Sequence, residues 1–170
     1  MAVVYTKSSG LTSMDTAGGQ SPSARLTRGS LKSAIGKIEV ANGDSIGSIL
    51  RAVRVPSHAR VQQVLLRITG TITTAAGDIG VYRYSTSTTA AGAVVDVDLF
   101  ASAQALSSAL NIWTDVTNES TNYTATLVEQ PLWQAAGLSA DPQEMLEIAV
   151  TLTAAAGAAG QVTLCVIYAD

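Results

Sequence analysis

Beyond Ser33 the apolar residues recur at every second position, the period of a strand that lays one face on a core. In Ala34–Val40, Ile38 and Val40 point one way and Lys37 and Glu39 the other. Within Val61–Thr69, Val64, Leu66 and Ile68 share a face opposite Gln63, Arg67 and Thr69. The alternation is cleanest in Glu144–Thr153: Leu146, Ile148, Val150 and Leu152 are expected inward, and Glu147, Ala149, Thr151 and Thr153 outward. Gln161–Ala169 places Val162, Leu164, Val166 and Tyr168 together. Ser48–Val55 loses phase, because Leu50 and Ala52 share a face with Arg54 while Val53 and Val55 take the other. That irregularity predicts a β-bulge.

Turn residues separate these stretches: Asn42-Gly43-Asp44, Pro56-Ser57, Gly77-Asp78 and Gly157. A short element recurs as Thr74–Gly77, Thr89–Gly92 and Ala154–Gly157. Its first and third copies follow similar strands and predict two related hairpins. Two segments read as helical. Leu99–Leu110 carries an apolar stripe of Leu99, Ala103, Leu106 and Leu110, with Asp98 placed as N-cap. Pro131–Gly137 has proline at a helix start and glycine at its stop. Many short strands, Gly-rich turns and one or two short helices predict an all-β fold, an antiparallel β-sandwich of jelly-roll type.

Residues 1–33 follow no period and are rich in Ser, Thr and Gly, which predicts an extended N-terminal arm ahead of a sandwich domain over 34–170. Tyr5, Leu11, Met14 and Leu26 give that arm apolar anchors that a solvated tail does not need. At ~3.3 Å per residue it reaches roughly 100 Å, far enough to lie across a neighbouring subunit.

Composition sharpens the picture. Only 14% of the 170 residues are charged, against about 25% in ordinary soluble domains. Mean hydropathy is +0.28, yet no run approaches the ~20 apolar residues of a membrane helix. The opening MAVVYTKSSG lacks the basic start and apolar core of a signal peptide. So weakly charged a surface suits a protein packed against neighbours. Charge is also segregated along the chain. Residues 1–60 hold eight of the ten Lys and Arg, whereas Tyr84–Asp170 holds nine acids and no Lys or Arg. Such a division favours contact between the basic end and the acidic body of another copy.

No catalytic constellation can be assembled. His58 is the only histidine, which removes any multi-histidine metal site, and it falls in a turn. Ser57 adjoins it, but sequence neighbours on an extended segment point apart. Asp96 and Asp98 share a strand face, though two carboxylates leave most of a calcium shell unfilled. Asp115, Glu119 and Asp141 join them only if the fold gathers them. Cys165 lies in an apolar run and reads as a small buried hydrophobe. None of the glycine-rich phosphate loops or hydrolase motifs occurs. The pI near 5.0 opposes phosphate contact, so no nucleic-acid partner is expected, and no cofactor either.

Several segments carry a resemblance: Ala41–Ser48, Arg54–Val61, Gly77–Tyr82, Val94–Ala103 and Pro131–Ala135, in that order. Together they resemble virion structural proteins of tailed phages, from about residue 40 to the C-terminus. The resemblance implies a non-enzymatic cement or head-decoration subunit on the capsid surface. Its implied partners are the major capsid protein and other copies of itself, with no membrane. The arm residues expected to touch the capsid or a neighbour are Tyr5, Leu11, Arg25, Leu26, Arg28 and Lys32. Two other readings keep a place: a neck, tail or spike component, and a carbohydrate-binding jelly-roll module. With only 5% aromatic residues, the chain offers few rings for sugar stacking.

Overall fold

The computed structural model describes residues 29–87, 90–107 and 111–170. The arm residues Tyr5, Leu11, Arg25, Leu26 and Arg28 lie outside the described residues. Eight strands follow one another: β1 (Leu31–Val40), β2 (Ile49–Pro56), β3 (Arg60–Thr69), β4 (Ala76–Arg83), β5 (Val94–Ala105), β6 (Thr114–Asp115), β7 (Met145–Ala154) and β8 (Gly160–Ala169). Among the described residues one short helix, α1 (Leu132–Ala135), precedes β7.

The strands form two four-stranded sheets, ordered β1-β8-β3-β6 and β2-β7-β4-β5. Strand 1 pairs with 8, 2 with 7, 3 with 6 and 4 with 5, all antiparallel. This nested pairing is what results when one long antiparallel ribbon rolls up so that its two ladders become facing sheets, the jelly roll. The expected inward residues meet between the sheets. Val64, Leu66, Ile68, Leu146, Ile148, Val150, Leu152, Val162, Leu164, Val166 and Tyr168 are all buried there. Tyr123 joins them, its ring 5.0 Å from that of Phe100 and its hydroxyl donating to the Val61 carbonyl at 2.7 Å. Burial alone pushes that phenol above its ordinary range.

Four expectations need correction. In place of the helix expected from Leu99, the strand β5 runs to Ala105, and Asp98 lies within it rather than capping a helix; residues 108–110 of the expected helix lie outside the described residues. The cause is bulging. β5 takes eleven steps, from Val94 to Ala105, opposite only six of β4, from Ala76 to Tyr82. Each extra residue rephases the alternation, so Leu99, Phe100 and Ala101 are buried in succession, and the strand's spacing imitates a helix. Gly80 makes room for this bow, since a Cβ there would stand 2.1 Å from the Asp96 carbonyl oxygen.

The two related hairpins are instead a pair of arches between sheets. β3→β4 and β7→β8 both cross from one sheet to the other, side by side. They are bonded to each other through Gly157 N–H to the Thr73 carbonyl and Thr74 Oγ1 to the Ala155 carbonyl. Third, β1 begins at Leu31, so residues 31–33 belong to the sandwich and not to the arm. Fourth, Glu147 and Ala149 take the outer face as expected but are buried there, for a reason given below.

The bulge expected in β2 is present, between Arg51 and Val53. The Pro131–Gly137 segment also folds as expected in outline. Pro131 is the N-cap of α1, and Gly137 takes φ +79° just after the helix. Gly137 N–H bonds the Gln134 carbonyl and Leu138 N–H the Trp133 carbonyl, the paired closure of a Schellman motif.

β1 closes the sandwich by crossing tightly over β2. A Cβ on Gly36 would sit 2.0 Å from the Ala52 carbonyl oxygen, a backbone atom at the β2 bulge that cannot swing aside. Gly36→Ala is therefore expected to lower stability by about 2–3 kcal/mol through overpacking, read as a fall in the urea midpoint with an unchanged slope.

Candidate interaction site

The two outer faces of the sandwich are finished differently. Over the β2-β7-β4-β5 sheet, the chain after β4 lies across β7 and is held by two arginines. Arg51 donates to the carbonyls of Ser85 (2.5 Å), Ser87 (2.6 Å) and Ala90 (3.1 Å). It also forks onto Glu147 with two bonds of 2.6 Å. Arg54 donates to Glu147 at 3.0 Å and stacks 4.5 Å over the Tyr84 ring. Glu147 is thereby sealed beneath its own partners. Burial would raise its carboxyl, but the hydrogen bonds from Arg51 and Arg54 prevail and hold it below the usual carboxylate range.

The opposite sheet has no such cover among the described residues. Ladder register puts Ile35, Cys165 and Leu65 in one outward row, with Ile167 two residues on. Leu31 is 70% and Ile35 65% exposed. Cys165 is buried as expected of a small hydrophobe, and burial pushes its thiol up. Along the side where β1 passes β2 lies a groove of about 820 Å³, apolar on its β1 wall (Ala34, Ile35, Ile38) and mixed opposite, where Ile49, Leu50 and Val53 stand beside Arg51, Arg54 and Glu147.

At the head of β1 the chain is pinned. Lys32 Nζ sits 2.6 Å from Asp170 Oδ2, His58 Nε2 lies 2.8 Å from Asp170 Oδ1, and Asp170 N–H bonds the Ser30 carbonyl at 3.3 Å. The hydrogen bond from Lys32, joined by the one from His58, holds Asp170 below the usual carboxylate range. Lys32, expected as an arm contact, is thus an anchor that fixes where residues 1–28 leave the body. Charge segregation along the chain also resolves within one molecule for the described residues. The early cations Lys32, Arg51 and Arg54 meet the late acids Asp170 and Glu147, and Arg83 meets Glu144 at 2.7 Å.

The polar residues weighed for catalysis are drawn apart. Ser57 is buried and gives its hydroxyl to Asp141 at 2.5 Å, while its neighbour His58 turns outward to Asp170. Asp115 accepts from Gln63 and Thr117, and Glu119 accepts from Ser102 N–H. Asp96 is raised by burial, with Asp98 beside it adding to the shift. Among the described residues, no three His, Cys, Asp or Glu side chains gather where a metal ion would fit. What the described surface offers is an uncovered sheet face with Leu31 and Ile35 exposed, and a groove beside β1. Sequence patterning identified the faces of β3 and β8 but not the groove, which depends on how the two sheets meet.

No protein-family model matches the chain, and no curated protein does. Solved structures do. A chain in the capsid of Ralstonia phage GP4 is 14% identical over 84% of this chain and 85% of that one, with a TM-score of 0.58. A chain in the cyanophage Pam1 capsid asymmetric unit is 17% identical over 83% and 85%, with a TM-score of 0.49. One in the acid-stable capsid of Helicobacter pylori bacteriophage KHP30 is 14% identical over 83% and 92%, at 0.43. Of the three, the GP4 likeness is the one that bears on the fold. This chain shares its fold with a chain of a phage capsid.

Glu147→Ala is expected to cost about 3 kcal/mol, because it strands two arginines over a buried face. Since the folded carboxyl is depressed, its contribution is complete above the unfolded value of about 4.3 and is lost as pH falls through the folded one. Urea unfolding across pH 2–6 checks this: the variant's midpoint should fall less steeply with acid than that of the natural chain.

Proposed function

We propose that this protein is a structural subunit of a tailed-phage virion that binds the outside of the head as a cement or decoration protein. The observation that carries the reading is the likeness of this jelly roll, over 84% of the chain, to a chain of the GP4 capsid. Its physical properties fit the role. The body is stiff, with a core continuous between two full sheets. Its described cations are held in internal bonds, and Leu31 and Ile35 of β1 are left exposed on the uncovered sheet.

A glycan-binding role fits less well. Trp113 and Tyr84 are the exposed rings among the described tryptophans and tyrosines, and each carries an arginine over its face, Arg67 at 5.9 Å and Arg54 at 4.5 Å. A sugar would have to displace those cations to stack. Attachment to a shell needs no such platform. An extended segment can add main-chain bonds to a neighbour, and the body can supply an apolar seat, so that weak contacts combine.

Reconstruction of the assembled particle tests the assignment. A cement subunit occupies the outer surface of the head with icosahedral symmetry; density confined to the neck or tail overturns it. Deleting residues 1–28, which leaves Ser30 and the Lys32–Asp170 anchor in place, is expected to give a protein with a cooperative melt that no longer cosediments with heads. Undiminished cosedimentation would show that the leading segment has no part in attachment.

A further inference from the structure

A sandwich of two sheets has four edge strands, and unpaired edges invite other chains unless they are blunted. Three of the four are blunted here. β2 is bulged at Ala52 and ends in Pro56. β6 is two residues long. β5 is bulged three times, and residues 119–122 cover it: Glu119 accepts from Ser102 N–H, Ser120 N–H bonds the Phe100 carbonyl, and Ser120 Oγ bonds the Leu99 carbonyl.

β1 is the exception. It runs ten residues in unbroken register with β8, without proline or bulge. Among the described residues, nothing hydrogen-bonds its outer edge. Of its two lysines, Lys32 is held by Asp170, and Lys37 stays solvent-exposed beside Glu39. Alternate residues of β1 therefore present open N–H and C=O groups. Apolar surface flanks that edge on both sides: Leu31 and Ile35 outward, and Ala34, Ile38 and Ile49 in the groove against β2.

A strand that fits there must be apolar on both faces and extended by preference. Within residues 1–28, Ala2-Val3-Val4-Tyr5-Thr6 has that character: Val3 and Tyr5 fall on one face, Ala2 and Val4 on the other, and all but Ala2 favour strands. We propose that the free edge of β1 receives residues 2–6 of a second copy of this chain as an added strand.

Two features favour a second copy over the chain's own segment. Ser30 is still bonded to Asp170 N–H, so the chain enters β1 in line with the strand, and its own segment would have to reverse direction to reach the edge. The 24 residues between Thr6 and Leu31 also span up to roughly 80 Å at ~3.3 Å each, well beyond a body whose radius of gyration is about 14 Å. This exchange is independent of the capsid assignment, since it takes place between copies in solution.

The test uses full-length chains carrying Cys165→Ala, so that each has a single engineered cysteine. Val4→Cys is mixed with Ile35→Cys under mild oxidation, and linked pairs are read on a non-reducing gel. Val3→Cys and Tyr5→Cys repeat the donor at neighbouring positions, Leu31→Cys repeats the acceptor, and thermal melts confirm that the acceptors are folded. Val94→Cys, exposed on the covered edge strand β5, is the control acceptor. Linkage to residue 35 or 31 several-fold above that to residue 94 is the expected result. Equal linkage to all three overturns the proposal. So does linkage seen only within a chain that carries both cysteines, because the segment would then pair with its own edge.

Discussion

The sandwich depends on one buried ion cluster. β7 lies in the middle of its sheet, and its outward face carries Glu147, the one buried charged side chain among the described residues. A carboxylate in that position is costly unless it is fully partnered. Arg51 and Arg54 partner it, and Arg51 uses its remaining donors on the chain that crosses above. The same guanidinium thus neutralises the acid and ties down its cover. With that cover in place Ala149 is buried as well. What remains available is the opposite side, where β1 passes β2.

The cluster also explains a molecule so poor in charge. Its described cations are committed internally: Lys32 to Asp170, Lys37 to Glu39, Arg51 and Arg54 to Glu147, Arg83 to Glu144, Arg60 to the Glu129 carbonyl, and Arg67 over Trp113. A partner met on the open side would be recognised through apolar area and backbone edges, which are short-ranged and demand a stiff, well-shaped body. A jelly roll closed at β1 and β2 by a glycine-to-carbonyl contact is such a body.

Strands with strict alternation were legible from the residues: β3 and β8 have the faces their patterns predict, and the β2 bulge was visible as a break in phase. β5 was not, because five extra residues spread over three bulges turn a period of two into something close to a helix. Glu147 was misread for a different reason. Alternation tells which side a residue takes, but not whether a distant segment covers that side. The arches were mistaken for hairpins on the same ground, as local sequence gives a turn but not the sheet to which the next strand belongs. The candidate site was the least legible part. Its groove is a property of two edges meeting, and Lys32 gave no local sign that its partner would be the last residue of the chain.

The size of the contacts decides how such a surface can hold anything. A five-residue strand and a few side chains along one edge bury a few hundred Å², well under the roughly 1,200 Å² of a specific stable interface. Neither the edge nor the open sheet face alone would keep the protein in place. Linked through one chain, each raises the effective concentration of the other, and affinity multiplies without any single strong contact. That linkage works only if the leading segment starts from a fixed point on the body, since slack at its root lowers the effective concentration. The Lys32–Asp170–His58 anchor supplies that point, because it ties the first strand to the last residue and to the β2–β3 turn.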